Sequence, residues 1–422
     1  MRWVKAGHDV TVITCVPNVP DGVPYEGYMN TLRSQTEVVD GINVVRVWTY
    51  LAANSGFVKR ILNYLSYMMS ATWAGLFVKR PDVVIATSPQ FFCGWAGVLV
   101  QFFRRLPFVL EIRDIWPESI AAVGAIRAGF VIRILQWLEK KMYRSADHIV
   151  AVGHGYQDNV ASKVDMQDRI SVIYNGVDGN QFLPQPADTQ FRQRFGMQNR
   201  FLCSYVGTIG LAHGLETVLN TAEMLKNAGR DDIGFLLVGD GARREWLEND
   251  AKQRGLSDLV KFAGRLPKSE MPKAISSSDA LLVHLRQCDL FSTVIPSKIF
   301  ETMAMERPII MGVRGESADI VRQAKAGIEM EPGNSDDLLQ CLDRLARDSE
   351  FRNSLTANGR RFVLEQFSRD TFANDYLRIL DNLTCASGKP LTNVKSDEPD
   401  ENKDLIAMDV SPAPAGDSHV QS

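Results

Sequence analysis

Short runs of β-branched residues alternate with longer helical patterns along most of this chain, and that alternation limits the fold more than any other feature. In the first half the strand-like runs lie at residues 10–14, 83–86, 108–112, 148–152 and 170–173. A second series lies at residues 201–206, 235–238, 260–262, 280–284 and 309–311. Strands that alternate with helices build parallel sheets with helices on both faces. The sequence therefore predicts an α/β fold.

A dense run of turn residues separates the two series. Residues 174–188 contain an Asn-Gly pair, an Asp-Gly pair and two prolines, a composition typical of a linker. We therefore predict two Rossmann-like domains, at residues 1–185 and 186–368. Two such domains place a cleft between the carboxyl ends of their sheets, where ligands of this fold bind.

Three segments depart from the alternation. In residues 37–49, Asp40 and Gly41 lie between two apolar runs and predict a β-hairpin. Residues 369–385 are expected to form a C-terminal helix that crosses back to the first domain. Residues 386–422 are rich in Ser, Pro, Asp and Lys and poor in aromatic residues, so we expect them to be a disordered tail.

Composition and missing motifs exclude several classes of protein. The net charge is −3, so no overall basic field indicates nucleic-acid binding. The six cysteines form no C-x-x-C pair, which argues against a zinc site or a disulfide framework and favours a reducing compartment. The chain has no D-x-D triplet, the usual clamp for a metal and a diphosphate. It also has no H-E-x-x-H or G-x-S-x-G motif.

One stretch has to be weighed as a membrane segment. Residues 61–78 carry no charge and lie between the basic pairs 59–60 and 79–80. Eighteen residues is the lower limit for a spanning helix, and equal basic pairs at both ends give no orientation. The interpretation we favour is a helix of a soluble domain. A helix lying on a membrane surface is the first alternative, and a membrane span is the second.

The glycine-rich segment 206–215 lies between a strand and a helix. Glycines there let the backbone approach a ligand closely, and free N–H groups at a helix start attract phosphate. The segment matches neither the dinucleotide fingerprint nor a P-loop. A tight turn without a ligand is the alternative, and His213 by itself would be structural.

The segment 295–303 reads IPSKIFETM and predicts a second binding element. Pro296 suits a helix N-terminus, which places Ser297 and Lys298 in the first turn. A lysine there opposes the helix dipole, and that placement makes sense if an anion binds. Glu301 lies on the same helix face and could bind a ribose diol. The alternative is a solvated ion pair between Lys298 and Glu301.

The segment 111–118 follows a strand of the first domain and carries three charges around a Trp-Pro pair. Because carboxyl ends of strands face the cleft, Arg113, Asp114 and Glu118 are expected to point into it.

With these segments the chain resembles retaining glycosyltransferases of family 4, which have the GT-B fold. Within them it is similar to bacterial enzymes of O-antigen and capsule assembly, of the L-fucosamine transferase type. The matching stretches are residues 7–14, 81–89, 113–119, 172–178, 238–241 and 296–301.

The resemblance implies a role for each group of residues. Glu301 would hold the ribose, Ser297, Lys298 and the backbone of 207–210 the diphosphate, and residues 239–241 and 265–266 would lie by the base. The implied nucleotide-sugar site is Gly207, Thr208, Gly210, His213, Gly214, Gly239, Asp240, Gly241, Arg265, Leu266, Thr293, Pro296, Ser297, Lys298 and Glu301. The implied catalytic set is Arg113, Asp114, Glu118 and Lys298. The resemblance also implies that no metal or other cofactor is needed, so Lys298, Arg265 and backbone dipoles would meet the diphosphate charge.

The chain departs from the family pattern at three places. The first glutamate of the family's paired motif is replaced by Thr293, and the usual Arg and Lys of the glycine-rich loop are replaced by Thr208 and His213. Members also begin with a strand, a loop and most of a helix before the point that matches Met1. We therefore expect a first domain that lacks its usual first strand and loop, with unpaired neighbouring strands and poor activity.

These expectations combine into one functional hypothesis. The chain transfers a hexosyl or N-acetylhexosaminyl group from a UDP-sugar to a saccharide acceptor linked to a lipid diphosphate. It would act in the cytoplasm, peripherally on the inner face of the cytoplasmic membrane. One alternative is an enzyme like the UDP-N-acetylglucosamine 2-epimerases, and another is an inactive truncated chain that still binds nucleotide.

Overall fold

A computed structural model describes residues 1–18, 22–52, 57–88, 91–118 and 129–386 of the chain. Residues 387–422, where the sequence predicts a disordered tail, lie outside the described residues. No helix in the described ranges combines the length and the apolar character needed to cross a membrane.

The first half of the chain alternates strands and helices. In order its elements are α1 (Arg2–Lys5), β1 (Thr11–Thr14), β2 (Gln35–Val39), β3 (Ile42–Arg46), α2 (Phe57–Phe77), β4 (Val84–Thr87), α3 (Phe91–Arg104), β5 (Phe108–Ile112), α4 (Gly129–Ser145), β6 (His148–Ala151), α5 (His154–Lys163) and β7 (Ile170–Val172).

These strands form two separate sheets. β1 pairs in parallel with β3, which pairs with β2 through the expected hairpin at Asp40 and Gly41, both at positive φ. β4, β5, β6 and β7 form a parallel sheet in that order. Among the described residues no strand joins β1 to β4. The outer edge of β1 meets α2 instead, where the Tyr67 hydroxyl donates to the Ile13 carbonyl at 3.0 Å.

The second half begins with α6 (Thr189–Arg194) and is built on one parallel sheet of six strands. Its further elements are β8 (Phe201–Val206), α7 (Glu216–Asn227), β9 (Ile233–Val238), α8 (Arg244–Gln253), β10 (Val260–Gly264), α9 (Met271–Ser276), β11 (Ala280–His284), α10 (Lys298–Ala304), β12 (Ile309–Gly312), α11 (Glu316–Gln323), β13 (Gly327–Glu329), α12 (Ser335–Arg347), α13 (Ser349–Gln366) and α14 (Arg369–Ala386).

The strand order of this sheet is β10-β9-β8-β11-β12-β13. The chain therefore reverses direction across the sheet between β8 and β11, and such a switch point leaves a crevice at the carboxyl ends of the strands. Both faces are covered: along β11, Leu282 packs in one cluster and Leu281 and Val283 in another. Strands buried on both faces read as continuous apolar runs, which is the pattern found in the sequence.

The last helix leaves the second sheet and lies on the first. Tyr376 and Leu380 of α14 are buried in one cluster with Val109 and Val150 of the first domain. The Trp3 indole donates to the α14 backbone at 3.1 Å. The chain thus passes between its two halves twice.

Candidate functional site

Two glycine-bearing loops touch at the carboxyl end of the second sheet. Gly207 and Gly239, which follow β8 and β9, both have positive φ. A Cβ at Gly239 would lie 1.8 Å from the Gly207 carbonyl oxygen, and one at Gly241 would lie 2.5 Å from the carbonyl of Ile209. Only glycine permits this approach, so the loop after β9 packs directly against the backbone of the loop after β8.

Backbone groups of the first loop are already engaged within the protein. The N–H of Gly207 donates to Val238, that of Ile209 to Asp240, and that of Gly210 to the His213 ring. Less of the 207–210 backbone is therefore open to a diphosphate than the sequence suggested. Positive charge at this point must come from a side chain.

His213 shapes the loop as a neutral group. Its Nδ1 accepts the Gly210 N–H at 3.2 Å, and burial lowers its pKa to about 4. Behind it, the His284 ring is bonded on both nitrogens, to the His213 carbonyl at 2.7 Å and to the Gly333 N–H at 2.9 Å. Gly214 closes the turn with φ 57°. His213 is thus held as an acceptor and carries no charge at neutral pH.

Lys298 supplies the positive charge of the site. Its Nζ lies 3.9 Å from the centre of the Tyr205 ring, and a Cβ at Gly207 would be 2.9 Å from it. Among the described residues the ammonium has no hydrogen-bond or ion-pair partner within bonding distance. Desolvation lowers its pKa to about 7. An ammonium held against a bare loop without a counterion is suited to receive an anion.

Glu301 lies one turn along the same helix. Burial raises the pKa of its carboxyl, while Arg369, Lys298 and Lys268 act in the opposite direction. The helix begins at Lys298, so Pro296 and Ser297 precede it, whereas the sequence predicted Ser297 in the first turn. Arg369, whose guanidinium also donates to the backbone of residues 175–176, was not identified from the sequence. An arginine at the start of a distant helix carries no signal of this proximity.

The residues expected near the base follow neighbouring strands. The Gly239 N–H donates to the Gly264 carbonyl at 2.9 Å, which joins the loop after β9 to the end of β10. Arg265 follows at once and is exposed, and Leu266 is partly buried. The Asp240 carboxylate accepts the Gly241 N–H at 2.8 Å. The three loops after β8, β9 and β10 therefore form one continuous rim.

The first domain presents a different arrangement from the one expected. Arg113 follows β5, is exposed, and donates to the Asn175 side chain at 2.7 Å. Asp114 is partly exposed. Burial of the Tyr156 hydroxyl raises its pKa, and the negative charge of Asp114 raises it further. Arg113 and Asp114 both stay at the carboxyl edge of the sheet.

Glu118 forms an ion pair within the first domain, and its catalytic role stays a prediction. Its Oε1 pairs with the Lys163 ammonium at 2.7 Å, and its Oε2 is buried. Lys163 also pairs at 2.7 Å with Glu139, which is fully buried and accepts the Tyr143 hydroxyl. Lys163 is the last residue of α5. The ion pair draws Glu118 into a structural network between α4 and α5.

Thr293 packs against the opposite domain. A Cβ at Gly155 of the first domain would lie 2.8 Å from the Thr293 Cβ. Next to it, Glu316 accepts N–H groups from α5. Glu316 was also missed by sequence reasoning, because an acidic residue in the first turn of a helix is ordinary. No group of three or more His, Cys, Asp and Glu side chains that could hold a metal ion occurs in the described ranges.

Two family models match the chain, one on each domain. Residues 2–176 match the family described as glycosyl transferase 4-like domain, and residues 187–362 match the family described as glycosyl transferases group 1.

Relatives and solved structures agree with these matches. The chain is 25% identical to the probable glycosyltransferase WbjE of Pseudomonas aeruginosa, over 63% of this chain and 66% of that one. It is 24% identical to the putative colanic acid biosynthesis glycosyl transferase WcaI of Escherichia coli, over 72% and 75%. The crystal structure of Anabaena HepE with UDP and glucose superposes with a TM-score of 0.65 at 19% identity, covering 81% of this chain and 86% of that one. WaaG, a glycosyltransferase of lipopolysaccharide biosynthesis, superposes with a TM-score of 0.63 at 16% identity, covering 88% and 92%.

Proposed function

We propose that this chain, whose two halves match two glycosyltransferase domain families and which belongs to the GT-B glycosyltransferases, transfers a sugar. In this proposal the donor is a UDP-sugar, the acceptor is a lipid-linked saccharide, and the configuration of the sugar is retained. The observation that carries this proposal is the Lys298 ammonium against the glycine loop at the switch point of the second sheet. HepE, which shares the fold, binds UDP and glucose.

In this proposal the second domain holds the donor. The diphosphate lies against Lys298 and the loop after β8, and Glu301 accepts hydrogen bonds from the ribose hydroxyls. The base lies along the rim at Arg265 and Leu266. The desolvated ammonium supports the diphosphate assignment, because a nearby anion relieves the cost of keeping that group charged.

The chemistry then follows from where charge develops. As the bond between the sugar and the diphosphate breaks, negative charge grows on the leaving oxygen, and Lys298 and Arg265 stabilise it. The acceptor hydroxyl approaches the same face of the sugar and gives its proton to the leaving phosphate. This step needs no carboxylate base from the first domain, which agrees with the ion pair of Glu118. Arg113 and Asp114 line the acceptor side.

The lipid-linked acceptor requires contact with a membrane, and the first domain carries a surface that supports it. We define the three-helix face by the exposed apolar side chains of α2, α3 and α4: Val58, Leu62, Met69, Trp73, Phe77, Phe102, Phe103, Phe130, Ile134 and Trp137. Trp73 is 67% exposed, Phe77 69% and Trp137 55%. Exposed basic residues at the helix ends accompany it: Lys59, Arg60, Lys79, Arg80, Arg105, Lys140 and Lys141. Aromatic and basic residues together favour docking on the anionic inner face of the cytoplasmic membrane.

A product assay tests the proposed function. Purified protein is incubated with radiolabelled UDP-sugars, with and without membrane lipids that carry a lipid-diphosphate saccharide. We expect label to enter the lipid fraction and UDP to be released only when acceptor is present. Conversion of the donor to an epimer without acceptor would indicate the epimerase alternative. UDP binding without either product would indicate a nucleotide-binding chain and refute transfer.

A further inference from the structure

A carboxylate of the second domain occupies the N-terminus of a helix in the first. Glu316, the first residue of α11, accepts the backbone N–H groups of His154 and Gly155 at 3.1 Å each. Its Oε1 also accepts the Tyr174 hydroxyl at 2.7 Å. Three donors on the first-domain side of the cleft therefore converge on one side chain from the other side.

The facing surfaces lack the side chains that would hold them apart. A Cβ at Gly155 would lie 2.8 Å from the Cβ of Thr293, and one at Gly153 would lie 2.6 Å from the Ile295 side chain. On the opposite side Gly315, at φ 82°, turns the chain directly into α11. These glycines permit a close contact at the point where the carboxylate crosses.

The contact is electrostatically favourable. The N-terminus of α5, a helix of ten residues, carries partial positive charge and unpaired N–H groups, and a carboxylate satisfies both. Burial raises the pKa of the Tyr156 hydroxyl, and the carboxylates of Asp114 and Glu316 raise it further. Glu316 and Asp114 therefore both lie close to Tyr156.

We propose that Glu316 is a positioning residue that holds the two domains closed, with Lys298 facing the loop of Arg113 and Asp114. The donor residues all belong to the second domain, so donor binding does not require this contact. Transfer does require it, because the acceptor side must reach the sugar held by the other domain. The kinetic part of this inference rests on the proposed function, whereas the conformational part does not.

The test compares Glu316→Gln with a matched control on the same helix. The amide keeps the size of the side chain but removes its negative charge and turns an N–H₂ donor toward the Gly155 N–H, so the contact between the domains is weakened. Asp319→Asn makes the same chemical change one turn away, where the carboxylate pairs with Arg322 on the surface. Tyr174→Phe removes only one donor from Glu316 and gives a second, milder variant if Glu316→Gln folds poorly.

We expect Glu316→Gln to keep its UDP dissociation constant within about twofold and to lose about 10- to 100-fold in kcat, the range for displacement of reacting groups by about 1 Å. Small-angle X-ray scattering should show a larger radius of gyration, which Asp319→Asn does not share. Tyr174→Phe should shift both quantities less, and the double variant no more than Glu316→Gln alone. An unchanged radius in Glu316→Gln, or loss of UDP binding in step with kcat, would overturn the inference. If Glu316→Gln has the larger radius but the natural protein transfers no sugar, the result would support the contact of Glu316 between the domains and refute the proposed function.

Discussion

The depressed pKa of Lys298 predicts that UDP binding is linked to proton uptake. In the free protein the pKa is about 7, so the ammonium loses its proton as the pH rises through neutrality. A diphosphate beside it favours the charged form and restores a high pKa. Only the protonated protein binds well, and its fraction falls as the pH rises. UDP affinity should therefore decrease above pH 7.

The size of the effect follows from that pKa. Between pH 7 and pH 8.5 the protonated fraction falls about 15-fold, which corresponds to about 1.6 kcal/mol of binding free energy. The mean number of protons taken up per UDP bound should be about 0.5 at pH 7 and about 0.8 at pH 7.5. His213 adds nothing to this profile, because its pKa of about 4 keeps it neutral throughout the range.

Isothermal titration calorimetry in buffers of different protonation enthalpy measures both quantities. Lys298→Arg is the matched control, because a guanidinium stays charged over this range and its UDP affinity should not vary with pH. Lys298→Met should bind weakly and also without pH dependence. An unchanged dissociation constant from pH 7 to 8.5 in the natural protein, or the same slope in Lys298→Arg, would refute the reasoning.

Three further predictions address the ribose contact, the buried ion network and the membrane surface. Glu301→Ala should weaken UDP binding by about 1–3 kcal/mol, the range for losing a charged hydrogen-bond partner, and unchanged calorimetric affinity would remove Glu301 from the site. Lys163→Met leaves buried Glu139 without its counterion and should lower the free energy of unfolding by about 3–5 kcal/mol in denaturant titrations, with UDP affinity unchanged. Equal stability of the two proteins would contradict the buried network. Serine at Trp73, Phe77 and Trp137 should reduce flotation with anionic liposomes, and charge reversal at residues 59, 60, 79 and 80 should weaken it by about 1 kcal/mol per charge in low salt. Unchanged flotation in both sets of variants would exclude the three-helix face as the membrane contact.

The main elements of the fold were readable from the sequence because their patterns are local. β11 is buried on both faces and so appears as a continuous apolar run, and the Asp-Gly pair at 40–41 specifies its hairpin from within. Pro296 before α10 gave the helix start for the same reason. Strand pairing depends on residues far apart in the sequence. The division of the first domain into two sheets therefore could not be read from strand patterns alone.

The site divides in the same way. The sequence determined that Lys298 and Glu301 share one helix face and that glycines line a β–α turn, since short-range spacing fixes both. Tertiary structure alone decided that Lys298 lies against Gly207, that Glu118 is drawn into an ion pair with Lys163, and that Glu316 reaches the other domain. The physical reason is that desolvation and ion pairing depend on which charges and dipoles meet in space, and residues far apart in sequence supply them.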